Sequence, residues 1–121
     1  MGLGVCLLAA LAACATPRSE ESRMCQSAVE ELRECAAETR EWQSQEASER
    51  PQCISEDAAT PGAAELAGLE ESRYADQPEG REALQDATRR LGLISRLLKY
   101  ENPAAAEALL RDLEGRCAEL P

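Results

Sequence analysis

Cys25, Ala28, Leu32, Cys35, Thr39 and Trp42 follow one another at intervals of 3, 4, 3, 4 and 3 residues. That spacing draws an apolar stripe along one helix face and predicts a first helix from about Ser19 to Ser48. Ser19 stands at the N-cap position, and Glu20 and Glu21 follow in the first turn, facing the positive helix end. Residues 43–60, QSQEASERPQCISEDAAT, are polar and contain Pro51. They predict a loop, pinned by Cys53. Thr60-Pro61 reads as a cap followed by proline at the first helical position. It opens a short helix, Pro61 to about Tyr74, with Leu66 and Leu69 as its apolar residues. Asp76 with Glu79 three residues on has the form of a capping box ahead of a third helix over Gln77–Tyr100. Its seam is Leu84, Ala87, Leu91, Ile94 and Leu98, broadened by Leu93 and Leu97. Asn102-Pro103 ends that helix and caps a fourth, Pro103 to about Ala118, with Ala106, Leu109, Leu110, Leu113 and Cys117 inward. Nowhere do β-branched or aromatic residues alternate as a strand requires. The fold class is all-α: a small, irregular antiparallel helical bundle of three long helices and one short one.

The run from Leu3 to Ala15 is apolar but thirteen residues long, and a spanning helix needs about twenty. At an N-terminus it reads as the apolar core of a signal peptide. Leu11-Ala12-Ala13-Cys14 resembles the lipobox of bacterial lipoproteins. The resemblance implies cleavage before Cys14 and lipidation of its sulfur, which divides the chain into a signal peptide (1–13), a tether (14–18) and one helical domain (19–121). Three acyl chains would make a stable anchor where one is marginal. Ala15, rather than Asp, after the lipidated cysteine implies the periplasmic face of the outer membrane. Ala13-Cys14-Ala15 also fits the small-residue rule of an ordinary secreted protein, and that reading stays open. Met1 to Val5 carries no Lys or Arg, a departure from both patterns.

Six cysteines are present. Cys6 leaves with the signal and Cys14 takes the lipid, so Cys25, Cys35, Cys53 and Cys117 remain. In an exported chain they read as two disulfides. No C-x₂₋₄-C pair occurs, which argues against a zinc site. Cys25 and Cys35 are ten residues apart on one helix, about 15 Å, too far to bridge. In an antiparallel bundle the end of the fourth helix returns to the start of the first. The expected pairs are therefore Cys25–Cys117 and Cys35–Cys53. Such staples suit a chain with only 15 Leu, Ile or Val among residues 14–121, below the ~20% at which high net charge suggests disorder.

The net charge is −10, and neither histidine nor phenylalanine occurs. So acidic a chain lacks the basic face that nucleic acid requires. No catalytic or phosphate-binding motif is found, and adjacent carboxylates such as Glu30-Glu31 diverge by about 100° on a helix. No cofactor is expected. Trp42, Tyr74, Leu93 and Tyr100 are the large side chains least needed by the seams. They are candidate partner-binding residues; Trp42 and Tyr100 have a packing role as their other reading. A small disulfide-stapled bundle on a lipid anchor resembles in outline the pilotins that escort secretin subunits to the outer membrane. The expectation is a membrane-anchored, non-enzymatic binding or assembly adaptor whose envelope partner presents a basic or amphipathic helix. The alternative is a structural or surface-exclusion lipoprotein without a specific ligand.

Overall fold

A computed structural model describes residues 18–121. The signal peptide, the lipobox and Cys14 lie outside the described residues. Four helices follow in order: α1 (Glu20–Gln43), α2 (Ala63–Arg73), α3 (Pro78–Lys99) and α4 (Pro103–Ala118), with a 3₁₀ turn at Gln52–Ile54 between the first two. No strand occurs among the described residues. α1 packs chiefly against α4, and α3 lies between α2 and α4.

α1 begins as its sequence dictates. Ser22 donates its backbone N–H to the Ser19 side chain at 3.0 Å, which satisfies one of the orphan donors of the first turn. The seam from Cys25 to Thr39 is buried throughout, and Thr39 spends its hydroxyl on the Cys35 carbonyl at 2.8 Å. The helix stops at Gln43, five residues short of the expected Ser48. Past Trp42 no seam residue remains to repay helix formation. Gln45 instead enters the left-handed region at φ 67°. The N–H groups of Gln45 and Glu46 return to the carbonyls of Trp42 and Glu41, the paired bonds of a Schellman ending. α3 ends in the same way. Glu101, at φ 63°, and Asn102 donate back to Leu98 and Leu97, and the Asn102 side chain then caps α4 through Ala105.

Two expected helix starts are corrected. α2 opens at Ala63 rather than Pro61, because Gly62 takes φ 74°. A Cβ at Gly62 would stand 2.8 Å from Cβ of Ala28, so the glycine lets this turn lie directly on α1. α3 opens after Gln77, with Pro78 in its first turn and no side-chain cap. The Asp76–Glu79 capping box does not form, because proline already fills a position whose N–H would have needed a partner.

Both disulfides join the expected residues. Cys25–Cys117 ties the start of α1 to the end of α4 with Cα atoms 5.4 Å apart. Cys35–Cys53 holds the interhelical loop to α1 at 6.0 Å. The loop is more than a polar connection, since Ile54 is fully buried. Its backbone is fixed by the single lysine, Lys99, which donates to the Ala58 carbonyl at 2.8 Å. Opposite charges lock the register of α1 against α4. Arg33 meets Glu114 and Arg40 meets Glu107. The two arginines are seven residues apart on α1 and the two glutamates seven apart on α4, one heptad each, with the helices running in opposite directions.

Candidate functional site

The four candidate partner-binding residues separate into three environments. Tyr74 belongs to the core, with 9% of its surface exposed, and is corrected as a surface candidate. Its hydroxyl donates to Glu21, a carboxylate buried in the first turn of α1. Arg73 reaches the other oxygen of Glu21 at 3.2 Å and also pairs with Glu20 at 2.6 Å. The hydrogen bond to Glu21 and then burial hold the Tyr74 phenol above its ordinary pKa. The α2–α3 turn is thereby latched to the N-terminus of α1. Periodicity assigned Tyr74 to no seam because it lies past the last residue of α2, where helical spacing no longer reports on burial.

Trp42 is half-buried and packs against the core. The guanidinium of Arg50 lies 5.2 Å from the centre of its ring, within cation–π range. Arg50 also pairs with Glu101 at 2.8 Å, so it covers the indole while fastening the loop to the α3–α4 turn. Gln43 donates to the Glu101 carbonyl at 2.6 Å. The C-terminus of α1, the loop and the α3–α4 turn therefore share one end of the bundle. Sequence reading missed Arg50, and its only signal was a lone arginine in a polar loop.

Among the described residues, Leu93 and Tyr100 are the exposed large apolar side chains, at 46% and 75%. They stand seven residues apart on α3, with Leu97 between them and partly buried, so all three share one helix face. Arg90 reaches Asp112 across the α3–α4 hairpin at 3.1 Å. Leu109 on α4 is likewise half-buried against the core. Leu93, Leu97 and Tyr100 thus form an apolar stripe on α3 that ends at Tyr100.

A second concavity, about 670 Å³, lies at the opposite end of the bundle between Tyr74, Gly80, Ala83 and Pro121. Its rim carries the carboxylates of Glu79 and Glu119 but no convergent set of donors. Several carboxylates at helix contacts are taken up in pairing. Glu70 accepts from Arg81 at 3.0 Å and from Gln85 at 2.9 Å, joining α2 to α3. Asp86 is held below the usual carboxylate range by Arg90, and Glu107 by Arg40. Among the described residues no cluster of acidic or cysteine side chains is arranged to hold a metal ion, and no helix is long and apolar enough to cross a membrane.

The fold and this surface define a disulfide-stapled four-helix bundle with one exposed apolar face. No family model, curated protein or solved structure matches the chain.

Proposed function

We propose that the chain is a membrane-anchored lipoprotein of the bacterial envelope, at the periplasmic face of the outer membrane, and acts as a non-enzymatic binding or assembly adaptor. The observation that carries this reading is the position of Leu93 and Tyr100. α1 has 24 residues, about 36 Å at 1.5 Å per residue. Arg18, the last residue of the tether, precedes its first turn. Tyr100 adjoins Glu101, which contacts the last residue of α1. Tyr100 thus lies about a helix length from the start of α1, and Leu93 about 10 Å nearer to it, which supports a reading in which this face of an anchored bundle meets other proteins. Apolar surface rimmed by polar residues is what protein contacts use, and this chain has little apolar surface to spare.

The test has two arms. Metabolic labelling with a fatty acid should tag the wild type and spare Cys14→Ser. A pull-down from detergent extracts should then retain one stoichiometric partner, and Leu93→Ser with Tyr100→Ala should lose it without a change in melting temperature. If the wild type stays unlabelled and appears in the soluble periplasm, the anchor is wrong. If it is labelled but retains no partner, it is a space-filling envelope component.

A further inference from the structure

The C-terminal half of α3 runs against the charge of the whole chain. Residues 87–100, ATRRLGLISRLLKY, hold four basic side chains and no acidic one, in a protein of net charge −10. Some of this bias is consumed inside the fold. Arg90 bridges Asp86 at 2.8 Å and Asp112 at 3.1 Å. Lys99 donates to the carbonyls of Glu56 and Ala58. Basic residues late in a helix also suit its macrodipole.

Arg96 is left over by that accounting, and Arg89 is paired only within its own helix. The Arg89 side chain is 77% exposed although it touches Asp86 on its own helix. Arg96 is exposed and has no ion pair among the described residues. With Leu93 and Tyr100 they recur at intervals of 4, 3 and 4, a single row along the solvent side of α3. Leu97, partly buried on the same helix, widens this row of alternating apolar and cationic positions.

We infer that this row is the docking site of an acidic amphipathic helix carried by a partner protein, an inference that rests on the adaptor reading above. Apolar residues of such a helix at spacings of three and four would seat on Leu93, Leu97 and Tyr100. Glutamate or aspartate flanking them would meet Arg89 and Arg96. Charge complementarity selects this occupant. A second copy packed about a two-fold axis would set one basic row against another. An anionic bilayer would be attracted by two arginines but repelled by the rest of the chain. The expectation of a basic or amphipathic partner helix followed from the acidic residues that rim the helices; this inference keeps the amphipathic helix and makes it acidic, because the local charge at the exposed apolar residues is positive.

Total charge and local charge therefore forecast opposite results in one experiment. Two synthetic helical peptides with identical leucine spacing, one flanked by glutamate and one by lysine, are titrated by fluorescence anisotropy into the protein as isolated from cells, in neutral detergent at low salt. The glutamate peptide should bind at least tenfold more tightly. Arg89→Glu with Arg96→Glu should abolish that preference while helicity and melting temperature stay unchanged. Equal or tighter binding of the lysine peptide, binding of neither, or a preference that survives the double reversal overturns the site. Self-association abolished by Leu93→Asp would assign the face to a second copy instead. A stoichiometric cellular partner that the double-reversed protein still retains would overturn this site and leave the adaptor reading intact.

Discussion

A Cβ placed on Gly80 would stand 2.4 Å from Cδ1 of Tyr74. The first turn of α3 is therefore the floor on which the Tyr74 ring lies, and that ring in turn presents its hydroxyl to Glu21 on α1. A residue that weakens a helix by local propensity is here the condition for joining three elements.

The helical glycines should consequently divide by sign. Gly80→Ala gains about 0.5–1 kcal/mol of helix propensity but forces the buried ring to move, an overpacking cost of about 1–3 kcal/mol. It should lower stability. Gly68 and Gly115 have nothing within 4 Å of an added Cβ, so alanine there should stabilise by about 0.5–1 kcal/mol. Urea unfolding of the three variants decides. A stabilised Gly80→Ala would show that Tyr74 is free to move.

Tyr74→Phe should cost about 1–3 kcal/mol, because it strips a hydroxyl from a buried carboxylate and leaves Glu21 with Arg73 at 3.2 Å. The phenol is raised above its ordinary value of 10.0, first by the hydrogen bond to Glu21. A raised value means that the fold keeps the protonated form. Its contribution is complete below pH 10 and is lost as pH rises through the raised value. Thermal melts of the wild type should fall along an alkaline limb, and those of the Phe variant should lack this share of it.

The acid limb has the opposite origin. Glu107 and Asp86 lie below their ordinary values of 4.5 and 3.8, through hydrogen bonds from Arg40 and Arg90 respectively. Their contribution is present above those ordinary values and is lost as pH falls through the lowered ones. Arg40→Gln should flatten the acid limb of a melting-temperature profile. Added salt should do so in part, since both partners reach solvent. An unchanged acid limb would place the register of α1 against α4 on packing alone.

The two disulfides should behave differently. Cys25 and Cys117 are fully buried, whereas Cys53 is half-buried. Mild reductant followed by alkylation and mass mapping should open Cys35–Cys53 first. Their sequence separations are 92 and 18. On chain entropy, removing Cys25–Cys117 should cost about 4–5 kcal/mol and removing Cys35–Cys53 about 3 kcal/mol. Reversed costs would show that the loop around Ile54 contributes more than its crosslink.

The seams were legible because burial along a helix repeats every 3.6 residues. Cys25, Leu32, Leu91, Ile94 and Leu113 could be placed inward from spacing alone, and all are buried. The disulfide pairing was legible for a related reason: antiparallel order fixes which helix ends meet, whatever the side chains between them. Ile54, Tyr74 and Arg50 escaped the same reading. Each lies outside the four α-helices, where position depends on how the chain crosses between elements.

The sequence by itself determined the helical class, the order of four helices, their inward faces and the two crosslinks, since all of these follow from local periodicity and chain direction. Only the tertiary structure decided that Tyr74 belongs to the core and that Glu21 is buried beneath it. It also decided that Arg50 covers Trp42, and that Leu93 and Tyr100 stay open beside unpaired charge. Those outcomes depend on which surfaces meet across the bundle. Tyr74 and Glu21 stand 53 positions apart, and the loop that brings Arg50 onto Trp42 has no helical period, so no local pattern encodes either contact.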